Sequence, residues 1–431
     1  MTIINIFKEK KLRMKLLFTV MVVAIAELLT NIPVYGVNKD YLKAVFSNTD
    51  ILGFMDGVSG GSMTTLSMGT FGVASYITAS IIIQLLGVLI PKLEELRRDG
   101  EYGRKRFEKA EYILSFIIAC ASSFTLAVCF GKQGLLVEYT PKYVIAAIAG
   151  WVVGAVIIIV LGKKVEDYGI GNGISIILAF NIISRIPKNI HSYIEDTVKG
   201  ASTKNAAAYI IGLILMLFVF YLITVYLQCG SINVTIKQAR KSASAINSDG
   251  IVPVSVNIAN VLPVIYAASL VSLPNMVVSL TGIKTNATAD KILSVFVSSN
   301  WYYPKHWYHI LGLVLYLVLL VSLSLFSSGM TFSAAEIADS MKKNGNVVQG
   351  VNPGKDTIAY FDRRRKIMAV VNVLFLIIVV TLPDLICSRL GITQFSFLGT
   401  SLIIIISMLF DTALRFQGAS IHNDKHNEMF A

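Results

Sequence analysis

Gly72-Val-Ala-Ser-Tyr-Ile-Thr-Ala-Ser-Ile-Ile-Ile-Gln-Leu-Leu86 follows a shorter run, Asp56-Gly-Val-Ser-Gly-Gly-Ser-Met-Thr-Thr-Leu66. The longer run has the apolar density of a transmembrane helix. The shorter run carries three glycines and several hydroxyl side chains, and it is too short to cross a bilayer. A broken half-segment joined to a full helix is tolerated at membrane depth only where protein or a water-filled cavity surrounds it. The pair therefore predicts a cavity with a small element folded into it.

The composition of the whole chain indicates a polytopic membrane protein. Of its 431 residues, 55% are hydrophobic, and the mean hydropathy of +0.67 is far above that of a soluble domain. We predict an all-α fold with ten transmembrane helices, because ten apolar runs have the length of a bilayer-spanning helix. These runs are 16–34, 70–90, 110–131, 143–162, 170–186, 207–228, 254–281, 308–328, 367–383 and 396–411.

The distribution of basic residues predicts the orientation in the membrane. An even number of spans places both termini on the same side. If the amino terminus is inside, most of the 38 Lys and Arg residues fall in the inside segments. Cytoplasmic loops of membrane proteins carry such an excess of positive charge. We therefore expect both termini to be cytoplasmic.

Two of the inside segments are densely charged. Residues 94–109 mix acidic and basic side chains, as a solvated face or a membrane anchor does. Residues 334–366 combine a helical pattern with the turn Gly350-Val-Asn-Pro-Gly354 and the run Asp362-Arg-Arg-Arg-Lys366. A connection of this length usually binds a partner. Acidic lipid, RNA and an acidic protein surface all suit its charges, and charge alone does not choose among them.

The sequence lacks the motifs of the common enzyme classes, such as a Walker loop, a His-Glu-x-x-His pair or a nucleophile elbow. The four cysteines have no ligand spacing and the five histidines lie in loops or at segment ends, so we expect no metal or cofactor. Glu27 lies in the middle of a predicted span, but a single acid does not make a proton relay. Asn181, Asn257 and Asn260 are expected to form interhelical hydrogen bonds. We therefore expect a protein without enzymatic activity.

Several strings along the chain resemble SecY, the channel subunit of the bacterial Sec protein translocon. The most specific are Tyr76-Ile-Thr-Ala-Ser-Ile-Ile-Ile-Gln-Leu-Leu86 and Gly169-Ile-Gly-Asn-Gly-Ile-Ser-Ile-Ile177. The strings occur in the order and at the spacing of that family, along nearly the whole chain. Further matches are Ile32-Pro33, Ser59-Gly-Gly61, Gly100-Glu-Tyr-Gly-Arg104, Val256-Asn257, Pro263-Val-Ile-Tyr-Ala-Ala268, Asn352-Pro-Gly354 and Gly399-Thr-Ser-Leu-Ile-Ile404 with Asp411.

The resemblance implies a channel that moves unfolded secretory polypeptides across the bacterial cytoplasmic membrane and releases transmembrane segments laterally into lipid. It implies two inverted five-helix halves, 1–190 and 191–431, around an hourglass pore. An apolar ring at the waist of the pore would dewet and so block ions. By periodicity alone, the ring positions are ordinary lipid-facing or core residues. They are Val73, Ile77, Ile174, Leu178, Ile265 and Ile404.

The resemblance also implies a plug and a lateral gate. The plug would be a half-helix at about 54–66 on the outer side of the ring, whose glycines keep it weakly packed and movable. The gate would open between the second span, near Thr78, and the seventh span, near Asn257 and Leu273. The plug residues are Asp56, Gly57, Val58, Ser59, Gly60, Gly61, Ser62, Met63, Thr64, Thr65 and Leu66.

Two cytosolic connections, at about 230–253 and 333–366, would dock the ribosome or the SecA motor ATPase. Other partners that the resemblance implies are SecE-like and SecG-like small membrane subunits, preproteins that carry a signal sequence, and membrane lipids. The docking residues are Lys237, Arg240, Lys241, Asn352, Arg363, Arg364 and Arg365.

Some positions depart from the family pattern. Glu27 stands where relatives usually have Arg, and Ser75 stands where they have Pro. Asn352 replaces the Arg that usually precedes Pro353, which is among the family's motor-coupling residues. The pore positions thus match well and the docking positions poorly. A divergent housekeeping channel and the channel of an accessory Sec system both remain open.

Two other functional classes are kept as alternatives. A secondary transporter of a small solute needs a polar site at the middle of the membrane, for which the sequence offers only Glu27 and the asparagines. The other alternative is a membrane scaffold that conducts nothing. In that case the sequence matches at the ring and plug positions would have no functional role.

Overall fold

Helices dominate the protein. The computed structural model describes residues 10–38, 65–90, 93, 100–200, 203–238, 250–255, 262–281, 286–297, 299–302, 306–343, 345–390 and 398–429. Within these ranges, the α-helices of at least 18 residues are α1 (Lys10–Asn31), α2 (Gly72–Leu89), α3 (Gly100–Phe130), α4 (Pro141–Tyr168), α5 (Gly173–Gly200), α6 (Thr203–Cys229), α7 (Leu262–Thr281), α10 (His309–Thr331), α12 (Lys355–Leu390) and α13 (Leu398–Met429). The shorter helices are α8 (Ala287–Val295), α9 (Ser299–Tyr302) and α11 (Ala334–Lys343).

Each long helix overlaps one of the apolar runs, because these runs satisfy every backbone polar group internally once they are helical. Among the described residues, the stretches able to cross a membrane by length and composition are Lys105–Val128, Pro141–Tyr168, His309–Lys343, Lys355–Cys387 and Gly399–Phe416. Shorter apolar stretches are Gly72–Gly87, Gly173–Pro187, Ile214–Tyr226 and Leu262–Asn275. The fold is therefore that of a membrane protein with several apolar helices, and the count of ten spans stays a prediction.

The turn between α4 and α5 explains one of the most specific sequence strings. Gly171 has φ +94°, a left-handed conformation that favours glycine. The Asn172 side chain then caps α5, because its Oδ1 accepts a hydrogen bond from the Ser175 amide at 3.0 Å. The amide of Ile170 donates to the hydroxyl of Thr19 in α1 at 3.1 Å. The turn is thus fixed at both ends.

The chain divides into two compact units. The first contains Met1–Lys199, Ser269–His309 and Met408–Ala431. In its core, the fully buried ring of Trp151 from α4 packs edge-on against Phe71, with ring centroids 6.0 Å apart. The second unit contains Gly200–Ala268 and Ile310–Ser407. The division into halves 1–190 and 191–431 stays a prediction.

A small antiparallel sheet in the second unit joins two connections that the sequence treats as separate loops. Its strands are β1 (Ser231–Gln238), β2 (Gly250–Ser255) and β3 (Asn346–Val348), in the order β2-β1-β3. Ile236 of β1 pairs with Val348 of β3, and Pro253 lies in the edge strand β2, where proline is tolerated. Buried Val234, Val348 and Phe361 form a core with α11 and α12. The two connections therefore fold as one body.

Candidate functional site

The end of the predicted plug stretch is held by α1 and α4. Leu66 is buried and has φ +39°, a conformation that costs a non-glycine residue about 1–2 kcal/mol. Its carbonyl accepts a hydrogen bond from Trp151 Nε1 at 3.2 Å, and Thr65 Oγ1 donates to the carbonyl of Thr30 at 3.4 Å. The amide of Met68 donates to the Ile32 carbonyl at 3.0 Å. Residues 56–64 lie outside the described ranges.

Two predicted ring residues lie near the start of α2. Val73 is buried and Ile77 is half-buried, and residues four apart on a helix share a face. The neighbouring Gly72 has no room for a side chain, because an added Cβ would lie 2.8 Å from Ile158 Cβ of α4. The close approach of α4 therefore sets the position from which Val73 projects.

Two further ring residues, Ile174 and Leu178, are buried in the first turns of α5. Gly162 of α4 makes room for Ile174. A Cβ added at Gly162 would lie 2.8 Å from Ile174 Cγ1 and closer still to its Cδ1. A Cβ added at Gly173 would collide with the carbonyl of Gly162. Since both collisions lie at the helix crossing, Gly162 and Gly173 allow α5 to begin in backbone contact with α4.

The remaining ring residues lie in the second unit. Ile265 of α7 and Ile404 of α13 are each 4% exposed. The start of α13 packs closely on α12, since a Cβ at Gly399 would collide with the carbonyl of Val379. Ser407, one turn after Ile404, donates from Oγ to Gln228 Oε1 at 3.3 Å. Assembly of all six residues into one ring stays a prediction.

The predicted gate residues have different environments. Thr78 is half-buried in α2, and its hydroxyl donates to the Ala74 carbonyl at 2.9 Å. Leu273 of α7 is 39% exposed and precedes Pro274, which lies inside the helix. Asn257 lies outside the described ranges. The pairing of α2 and α7 at a gate stays a prediction.

Two predicted docking residues lie on the exposed face of the sheet and its neighbouring turn. Side chains of β1 alternate between buried and exposed, so Lys237 projects outward while Val234 faces the core. Asn352 is exposed, and its Nδ2 donates to Asp356 Oδ2 at 3.2 Å. Its carbonyl accepts from Thr357 Oγ1 at 2.8 Å, which fixes the turn before α12. Arg240 and Lys241 lie outside the described ranges.

The three consecutive arginines of α12 are not equivalent. Arg363 is exposed. Arg364 places its guanidinium 5.3 Å from the centre of the Tyr360 ring. Arg365 turns into its own unit, where its Nη2 and Nε lie 2.6 and 3.1 Å from Asp362 Oδ1 and its Nη1 donates to Ser328 Oγ at 3.1 Å. The sequence presents one basic patch, whereas the structure leaves Arg363 the most accessible of the three.

Two of the polar residues that the sequence places in the spans, Glu27 and Asn181, form an interhelical contact, whereas Asn257 and Asn260 lie outside the described ranges. Asn181 of α5 is buried, and with its amide nitrogen turned toward Glu27 it donates to Glu27 Oε2 at 3.2 Å. The carboxylate of Glu27 also accepts from Asn31 Nδ2 at 3.2 Å. Among the described residues, no group of three His, Cys, Asp or Glu side chains is placed to hold a metal ion. Glu27 thus acts as a helix-interface residue in this structure.

Comparisons with known proteins decide the family. A family model described as SecY matches residues 67–413. The chain belongs to the SecY family. The protein translocase subunit SecY of Staphylococcus carnosus (strain TM300) is 30% identical to this SecY-family chain over 426 residues, which cover 95% of each protein.

Solved structures of the SecY and Sec61 type share the fold. A structure that concerns the plug domain of the SecY protein aligns with a TM-score of 0.67 and 18% identity, over 96% of this chain and 94% of that chain. Sec61 in the canine ribosome–channel complex from the endoplasmic reticulum aligns with a TM-score of 0.61 and 19% identity, over the same shares of the two chains. The resemblance seen in the sequence strings is therefore confirmed, and the SecY-family fold extends over nearly the whole chain.

Proposed function

We propose that this SecY-family chain is the protein-conducting channel of a bacterial protein translocase. It passes unfolded secretory polypeptides across the cytoplasmic membrane and releases transmembrane segments laterally into lipid. The observation that carries this function is the match, over 95% of both chains, with a protein named as a translocase subunit. As a channel subunit it performs no bond chemistry of its own.

In this proposal, the six aliphatic ring residues close the pore. A narrow aliphatic constriction dewets, which blocks ions without a rigid door. Branched side chains part around a passing peptide and offer it no hydrogen bonds. The burial of Val73, Ile174, Leu178, Ile265 and Ile404 supports this role, because residues that seal a pore are shielded from water.

The plug is proposed to swing on a fixed point at its carboxyl end. The hydrogen bonds of Leu66 to Trp151 and of Met68 to Ile32 support such an anchor. The segment before them carries Gly57, Gly60 and Gly61 and therefore gains little from packing. Opening would displace the segment before Thr65 and leave the anchor in place.

The partners of this channel are proposed to be a SecE-like clamp, a SecG-like subunit, and a SecA motor or a ribosome. The motor or ribosome would dock on the sheet and on the exposed residues Lys237, Asn352 and Arg363. With both termini in the cytoplasm, this body would face the cytosol, which is where such partners are found. The basic residues suit an acidic partner surface.

Co-purification followed by reconstitution tests the proposed function. A small membrane subunit and either a motor ATPase or ribosomes are expected to co-elute with the chain. Proteoliposomes that contain the complex are then expected to protect a signal-bearing precursor from added protease in an energy-dependent reaction. A complex that takes up a small solute, and leaves the precursor fully degraded with every co-eluting partner present, would instead support a transporter.

A further inference from the structure

A carboxylate of α3 is hydrogen-bonded to the helix that carries two ring residues and a gate residue. Glu111 lies within the apolar stretch Lys105–Val128. Its Oε2 accepts a hydrogen bond from Tyr76 Oη at 3.3 Å, and its Oε1 accepts one from Ser80 Oγ at 3.2 Å. Ionisable residues inside a membrane segment are costly and therefore usually have a function and a defined partner.

The contact extends into a network across three helices. On α2, Gln84 Nε2 donates to Ser80 Oγ at 2.9 Å. Next to Glu111 on α3, the Tyr112 ring lies 5.8 Å from the Tyr76 ring. The ammonium group of Lys163 in α4 lies 4.8 Å from the centre of the Tyr112 ring, within the range of a cation–π interaction. Polar and aromatic contacts therefore join α2 to α3, and α3 to α4.

The network lies beside the proposed channel elements of α2. Tyr76 immediately precedes the ring residue Ile77, and Tyr76 and Ser80 flank the gate residue Thr78. Any shift of α2 relative to α3 would therefore stretch the bonds to Glu111 and move the ring residues at the same time.

We propose that Glu111 is a positioning residue for α2, and that through Tyr76 and Ser80 it keeps α2 on α3 when the gate opens. This inference rests on the proposed channel function. The gate then opens by movement of α2 and α3 together. Without Glu111, α2 can move without α3, so opening no longer requires both helices to move, and weak signal sequences open the channel more readily.

The first test uses signal selectivity, which a merely structural role would not change. Glu111→Ala is expected to raise export of a precursor with a defective signal sequence about tenfold, equivalent to roughly 1.4 kcal/mol in the gating equilibrium. Glu111→Gln keeps one acceptor oxygen and should give an intermediate value. Glu138→Ala, at an exposed carboxylate between α3 and α4, is the matched control and should match the wild type.

A double-mutant cycle shows whether the effect passes through the contact. Ser80→Ala alone is expected to relax selectivity, and to add nothing when Glu111→Ala is already present. Full additivity of the two substitutions, or wild-type selectivity of folded Glu111→Ala, would overturn the proposal. If the wild-type channel protects no precursor in the same assay, the proposed function fails instead.

A covalent lock tests the shared movement of α2 and α3. Ser80→Cys and Glu111→Cys are combined in a chain whose four native cysteines are replaced by alanine, and a short bifunctional thiol reagent links them. The linked channel is expected to translocate a normal precursor at the rate of the unlinked one. Arrest of translocation by the link, with recovery after it is cleaved, would show that α2 must leave α3 and would contradict the proposal.

Discussion

Gly162→Ala is expected to disturb the channel through a single predicted ring residue. The added methyl group would lie 2.8 Å from Ile174 Cγ1 and closer still to Cδ1, whereas ordinary contact begins at 3.4 Å. Both atoms belong to the side chain of Ile174, and the Ile174 amide nitrogen lies 3.3 Å away. The substitution therefore pushes the Ile174 side chain away from α4 before it disturbs the backbone.

The expected loss of stability is small. Overpacking a tight contact costs about 1–3 kcal/mol. Replacing a glycine inside a helix by alanine recovers about 1 kcal/mol. The net destabilisation should therefore be roughly 0–2 kcal/mol, too little to unfold the protein. Ion leak through the pore should nevertheless rise clearly. A displaced Ile174 opens a gap in the constriction that keeps water out.

The assay is ion leak from proteoliposomes that contain the purified channel, measured together with thermal unfolding. Gly162→Ala should leak several-fold more than the wild type at nearly the same unfolding temperature. Gly212→Ala on α6 is the matched control, because an added Cβ there meets nothing within 4 Å. Adding Ile174→Val to Gly162→Ala removes the closest atom and should reduce the leak. A leak equal to that of Gly212→Ala would refute the assignment of Ile174 to the ring.

Three further predictions concern the ring, the gate and the docking surface. Ile265→Asn or Ile404→Asn should wet the constriction, raise ion leak and relax the demand for a strongly apolar signal sequence; tight membranes and unchanged selectivity in both variants would argue against these positions. Cysteines introduced by Thr78→Cys and Leu273→Cys should form a disulfide in the resting channel, and this disulfide should block export until it is reduced. If no disulfide forms under oxidation, α2 and α7 are not neighbours at these positions. A conventional motor should drive the wild-type channel poorly, because loss of a desolvated charged contact costs about 2–5 kcal/mol. Asn352→Arg should partly restore ATP-dependent translocation, and full activity of the wild type with that motor would make Asn352 a neutral substitution.

Local features of the fold could be read directly from the sequence. The apolar runs predicted the positions of the long helices, because a run of about 20 apolar residues has the length of a helix that crosses a bilayer. The turn that contains Gly171 and Asn172 was not predicted, because the apolar run 170–186 includes both residues; its string entered only as part of the resemblance. The ring candidates came from the resemblance, because an aliphatic residue at a pore has the same pattern as one in a core.

Long-range contacts could not be read in the same way. Strand β3 has only three residues, and its residue Val348 pairs with Ile236, more than a hundred positions earlier in the chain. Neither segment therefore has a sequence pattern that predicts the sheet. The run of arginines in α12 gave no sign that Arg365 would bind Asp362 and Ser328. The proposed role of Glu111 depends on the hydroxyl groups of Tyr76 and Ser80, which donate hydrogen bonds to it from α2. Such hydrogen bonds follow from helix packing and leave no periodic signal.

The most direct test of the channel is to locate a polypeptide during its passage. A photoreactive amino acid is placed at Ile174, and in a separate variant at Leu215, an aliphatic residue of α6 that is 64% exposed. A precursor is stalled in the complex by a folded domain at its carboxyl end, and the sample is irradiated. The channel function predicts an adduct between the precursor and position 174, with none at position 215. Equal labelling at the two positions, or an adduct at position 215 alone, would contradict it.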